Sequence, residues 1–170
     1  MNFQVNLHLP NDLLVDIGQY LQLSVHVELE ICQIVAIVES RSSKIDEWGP
    51  EFLKLRKMPQ NELIKKAKNV LPNLSQEVPS GAVNYINRCM IYIEQNAKYR
   101  HMVVHGAFSF DDTNGDCCIN YLHWRRNHGQ RIAEQDTTRI TQEMRKDALR
   151  NLEQLLGGLI WAKDKILAEH

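Results

Sequence analysis

From Asp12 to about Ser42 the chain is apolar around most of a helix circumference. Tyr20, Leu23, Val27, Ile31, Ile34 and Val38 follow i, i+3, i+4 spacing and make one stripe. Ile17, Leu21, Val25, Cys32 and Val35 make a second arc beside it. Such a helix has to be covered on more than one side. It either lies at the centre of its own core or divides its faces between a core and a second copy. A chain of 170 residues is long enough to supply that core without a disulfide or metal staple.

The rest of the chain reads as partners for this helix. Asn11 or Asp12 is its expected N-cap. After the break at Ser42-Ser43, Pro50 suits a first helical turn, and a basic helix follows over 50–70, with an interruption at Pro59 and an end at Pro72. A third helix starts at Ser80 or Gly81, points Val83, Ile86, Met90 and Ile93 inward, and stops near His105-Gly106. Residues 107–124 change to a period of two and read as a small hairpin turning at Asn114-Gly115. Residues 125–136 read as loop. The last helix starts near Thr138 or Thr141 and runs to Ala168, with Met144, Ala148, Leu152, Leu155, Leu159 and Ile166 as its stripe. Gly157-Gly158 inside it implies a bend or a close helix contact. The expected fold is mainly α: one domain over 1–170, an antiparallel four-helix-type bundle with a β-hairpin inserted before the last helix.

Charge narrows the function. The net charge is −1, which excludes a generally basic nucleic-acid coat and an acidic disordered chain. Residues 1–40 carry no Lys or Arg and a net of −5, whereas residues 41–70 carry +4. Any nucleic-acid surface is therefore local. Lys54, Arg56, Lys57, Lys65, Lys66 and Lys68 form a basic helix that suits a solvated face or an acidic partner. The four cysteines, Cys32, Cys89, Cys117 and Cys118, form no C-x-x-C pair. The opening MNFQVNLHLPND has neither the basic nor the apolar region of a signal peptide. No uninterrupted apolar stretch approaches the roughly 18 residues of a membrane span. These features predict a cytoplasmic protein with free thiols and no membrane partner.

No Walker loop, G-x-G-x-x-G, G-x-S-x-G or H-E-x-x-H is present. The chemistry-bearing segment is Tyr99-Arg100-His101-Met102-Val103-Val104-His105-Gly106. Arg100 is a permanent cation whose planar donors suit phosphate oxygens. His105 carries an imidazole, a group suited to act as general base or acid. On a regular helix the two stand about 140° apart. They converge only if the helix ends or unwinds, which Gly106 permits. An Arg and a His without metal are a minimal set for cutting RNA: the imidazole takes the 2′-OH proton and the guanidinium stabilises charge on the phosphoryl group. DNA lacks the 2′-OH that this route needs.

The segment Arg100-His101-Met102-Val103-Val104-His105 resembles the Arg-x4–6-His signature of the HEPN superfamily, late in the third long helix and followed by a final amphipathic helix. The resemblance covers about 13–168. It implies a metal-independent endoribonuclease acting as a homodimer, with two Arg–His pairs facing across a groove, in toxin–antitoxin or antiphage defence. Arg100 and His105 carry over as the catalytic pair. His101 takes the polar second position, where Asn is commoner, and either orients the pair or contacts phosphate. The family's first helix often carries an embedded acid, for which Glu28 and Glu30 are candidates, with Arg100 as the expected partner.

Around the motif, Trp124, Arg125, Arg126 and Arg131, with Tyr99, are the expected RNA contacts, and Trp124 or Tyr121 can stack on a base. His101 and His105 also stand at i, i+4, to which His123, His128, Cys117 and Cys118 could add metal ligands, but no second regular pair supports this and neither metal nor cofactor is expected. Expected partners are RNA, a second copy, and an antitoxin or other defence protein. The alternative is a catalytically silent HEPN-like module that binds nucleotide, RNA or protein.

Overall fold

The computed structural model describes residues 9–74, 79–111, 116–127 and 130–169. Among them are five α-helices: α1 (Asn11–Ser40), α2 (Ile45–Leu55), α3 (Gln60–Val70), α4 (Ser80–His105) and α5 (Gln142–Glu169). A short 3-10 turn, Leu71–Leu74, follows α3. Between α4 and α5 lie β1 (Ala107–Asp111), β2 (Asp116–Asn127) and β3 (Gln130–Ile140). The protein is thus mainly helical with a small antiparallel sheet. It divides into two compact units, one of residues 1–21 and 98–150, the other of residues 22–97 and 151–170.

In the second unit, Val27, Ile31, Cys32 and the run Ile34–Val38 of α1 are all buried. Burial of five successive residues covers every side of the helix, as a central core helix requires. Val83, Ile86, Met90 and Ile93 of α4 are buried as their spacing predicts. So are Leu152, Leu159 and Ile166 of α5, each contributing about 1.5–3 kcal/mol by leaving water. Gly158 meets the ring of Tyr85, whose hydroxyl donates to the Gln154 carbonyl at 2.6 Å. The close contact expected of the glycine pair is therefore made by Gly158, whereas Gly157 faces open space. Lys66 pairs with Glu39 at 2.8 Å and Glu51 at 2.7 Å, and Lys68 with Glu94 at 2.6 Å. Lys54 also pairs with Glu51, at 3.1 Å, so at least three cations of the basic segment are committed inside the chain.

Several boundaries differ from the sequence reading. The Pro10 carbonyl accepts from Leu14 N, so Asn11 is the first helical residue and not the cap. At the other end of α1, Arg41 takes φ 51°, a left-handed conformation that stops the helix before Ser42. Pro50 lies inside α2, because the helix opens five residues earlier on the Lys44 carbonyl, which accepts from Glu47 and Trp48. At Pro59 the basic segment does break, and α3 opens on its carbonyl. In the first unit, Thr141 caps α5 by accepting from Met144 N at 3.1 Å. Met144 is 48% exposed while Arg145 is buried, paired with Asp16 at 3.3 Å. An 18-residue window of α1 has mean hydropathy 1.6, so by length and composition alone α1 is apolar enough to cross a membrane; half of that window is buried in the fold.

The described residues of the segment expected to be loop, 125–127 and 130–136, are strand. β2 extends to Asn127 and pairs antiparallel with β3 along its length, from Cys117 opposite Ile140 to Asn127 opposite Gln130. The sheet order is β1-β2-β3. In β3, Glu134, Asp136, Thr138 and Ile140 are half-buried while the residues between them are exposed. The period of two is present, but two of its inward positions carry acids instead of apolar residues. Asn114-Gly115 lies outside the described residues.

Candidate functional site

The first unit carries the motif. Helix α4 stays regular through His105, and Gly106 N donates to the Met102 carbonyl at 2.7 Å. The unwinding that would bring Arg100 and His105 together does not occur before Gly106, so the two remain about 140° apart around the axis. Arg100 is half-buried, with Nε enclosed, and His101 and His105 are exposed. Gly106 is required here for close approach: a Cβ would run into Ile119 of β2 and lie 2.5 Å from the Met102 carbonyl oxygen. That contact seats the sheet directly on the last turn of α4.

Once seated, the sheet supplies ring partners to the motif. The rings of His101 and His105 lie 4.5 Å apart, centroid to centroid. His101 meets Tyr121 of β2 edge to face at 5.2 Å, and Tyr121 stacks on His123 at 5.5 Å with an 8° interplanar angle. Tyr121 and His123 are two residues apart on one strand and so share a face. Across the ladder Tyr121 pairs with Asp136 and His123 with Glu134. His123 Nδ1 is 3.8 Å from Asp136 Oδ2, and Nε2 is 3.7 Å from Glu134 Oε2. Lys98, one turn before His101, holds Asp136 Oδ2 at 2.8 Å. The hydrogen bond from Lys98, reinforced by His123, keeps the Asp136 carboxyl below its ordinary range, and the same pair raises Lys98.

Three imidazoles, a phenol and an anchored carboxylate thus line one connected surface. Imidazoles near neutrality take up and release protons, and a carboxylate beside one fixes its orientation. Such a surface can run acid–base chemistry.

The expected RNA contacts are divided by the strand. Arg125 shares the His123 face and lies 3.6 Å from Glu134. Trp124, 69% exposed, points to the opposite face. Position 126 pairs with Arg131 across the ladder, on the Trp124 side; the Arg126 side chain lies outside the described residues, as does His128. Tyr99 is exposed on α4. In the other unit, Glu30 pairs with Lys163 at 2.6 Å, both largely buried, and Glu28 accepts from Gln60 Nε2. Glu30 therefore has a charge partner other than the expected Arg100.

Lys98, Glu134 and Asp136 were not singled out by the sequence reading. Their signal is the alternation in β3, which is visible only if acids are admitted at inward positions. Among the described residues no three His, Cys, Asp or Glu side chains are grouped to hold a metal ion. The chain matches no known family model, no curated protein and no solved structure.

Proposed function

We propose that the chain is a HEPN-type, metal-independent endoribonuclease, its helices an antiparallel four-helix-type bundle, acting as a homodimer in toxin–antitoxin or antiphage defence. The observation that carries this reading is the exposed His101–His105 pair, 4.5 Å apart on the last turn of α4. His105 takes the ribose 2′-OH proton. Arg100 stabilises the charge on the phosphoryl group. The angle between positions 100 and 105 on a regular helix favours a groove in which each Arg100 serves the His105 of a second copy. Such proton transfer contributes about 10²–10⁴-fold.

The test is purified protein with RNA in EDTA. Wild type is expected to leave 2′,3′-cyclic phosphate ends, and His105→Ala and Arg100→Ala to leave RNA intact while keeping the wild-type circular dichroism spectrum. Cleavage by His105→Ala would overturn the assignment. A second reading, a silent module binding RNA or a partner protein, is favoured by the enclosed Nε of Arg100. RNA binding by wild type without product would decide for it.

A further inference from the structure

The endoribonuclease reading names a base and a charge stabiliser but no acid. Cleavage by the 2′-OH needs a second proton transfer, because the departing 5′-oxygen of a ribose is a poor leaving group as its anion. The sheet offers a group for that step.

His123 sits at the far end of the ring series that starts at His105, joined to it through Tyr121 and His101. Its Nδ1 is enclosed, without a hydrogen-bond partner among the described residues, and faces Asp136 Oδ2 at 3.8 Å. That distance is just beyond hydrogen bonding, and such contacts commonly tighten when substrate binds. Asp136 is itself fixed by Lys98 at 2.8 Å. The ring is thus oriented through a short chain, Lys98 to Asp136 to His123. Nδ1 is the enclosed nitrogen, and Nε2, 3.7 Å from Glu134 Oε2 and so beyond hydrogen-bond distance of it, is the nitrogen left to meet a substrate. Arg125, two residues along the same face, adds a cation of the kind that holds a phosphate.

We infer that His123 is the general acid of the same site, with Asp136 as its positioning residue, and that its substrate is an RNA phosphodiester; this rests on the endoribonuclease reading. The proton of the 2′-OH passes to an imidazole nitrogen of the His101–His105 pair. The O2′–P bond forms as the P–O5′ bond breaks, and the proton on His123 Nε2 passes to O5′. The products are a 2′,3′-cyclic phosphate and a 5′-hydroxyl, and the two imidazoles have exchanged roles without net loss of a proton. Tyr121, edge to face with His101 and stacked on His123, stands between those two rings.

The experiment compares two substrates of the intact protein: an RNA oligonucleotide, and uridine 3′-(p-nitrophenyl phosphate), whose phenol leaves as its anion and needs no acid. His123→Gln is expected to lose about 10²–10⁴-fold on RNA and less than about tenfold on the ester. Asp136→Asn should show the same selectivity with a smaller loss on RNA. His105→Ala should lose both substrates. Retained ester turnover also shows that each variant is folded. Equal losses on the two substrates by both variants, or no loss on RNA by His123→Gln, would overturn the acid assignment while leaving the endoribonuclease reading intact. Wild-type protein that cleaves neither substrate would overturn both.

Discussion

The His105 imidazole lies 4.5 Å, centroid to centroid, from that of His101, one turn earlier on the same helix. His101 also meets the sheet, through Tyr121 at 5.2 Å. His105 is exposed at the end of α4, and His101 links helix to strand through Tyr121. This predicts different tolerances. His101→Asn keeps a polar side chain at the linking position and should lower RNA cleavage by no more than about tenfold. His105→Asn removes the proton acceptor and should lower it by about 10²–10⁴-fold. Initial rates on one labelled oligonucleotide check both.

Legibility in the sequence followed local chemistry. Helix α4 was readable from Ser80 to His105 because its inward residues are plainly apolar and Gly106 closes it. The start of α5 at Thr141 was readable from its capping residue. Strand β3 was hidden because Glu134 and Asp136 occupy inward positions, where a strand normally shows apolar side chains. They are tolerated because Lys98, His123 and Arg125 meet them. The same substitution of acids for apolar residues that concealed the strand also forms half of the candidate site. Arg145 illustrates the reverse error. The helical period favoured Met144, whereas Arg145 is drawn inward by Asp16 and Asp12 of α1, at 3.3 and 4.0 Å.

The two adjacent glycines of α5 should respond in opposite directions. At Gly157 a methyl group meets nothing within 4 Å. Gly157→Ala should stabilise by about 0.5–1 kcal/mol, the helix preference of Ala over Gly. At Gly158 the methyl group would run into the Tyr85 ring, which its 2.6 Å bond to Gln154 holds in place. Gly158→Ala should cost about 1–3 kcal/mol, and adding Tyr85→Ala should remove most of that difference. Urea unfolding midpoints of Gly157→Ala, Gly158→Ala, Tyr85→Ala and the Gly158→Ala/Tyr85→Ala double variant measure it.

Thiol reactivity should follow burial. Burial pushes the Cys32 thiol up to about 11 and the Cys89 thiol up to about 12, and it raises Cys117 as well. The nearby Glu28 carboxylate adds to the effect at Cys32. At pH 8 these three are protonated and enclosed, so they are poor nucleophiles. Cys118, on the opposite face of β2 from Cys117, is part-exposed. Iodoacetamide on the native protein should label Cys118 first, with the other three reacting only after denaturation. Mass spectrometry of tryptic peptides gives the order, and early labelling of Cys89 would contradict the packing of α4.

Acid should weaken the protein through two anchored carboxyls. Asp136 is held below its ordinary value of 3.8 by Lys98, and Glu51 below 4.5 by Lys66 and then Lys54. A carboxyl lowered by folding contributes stability that is complete above its unfolded value and is lost as pH falls through its folded one. The loss therefore begins below about pH 4.5 with Glu51 and continues below about 3.8 with Asp136. Lys98 has the opposite sign: raised above 10.5, it contributes fully below that value and loses its contribution as pH rises through the folded one. Between these limits neither pair changes charge, so stability from them should be flat from about pH 5 to 10. Lys98→Met should flatten the acid limb assigned to Asp136 and leave the part due to Glu51. Denaturant midpoints from pH 3 to 7, wild type against Lys98→Met, test the sign: an acid limb unchanged by the substitution would show that the Lys98–Asp136 pair does not hold in solution.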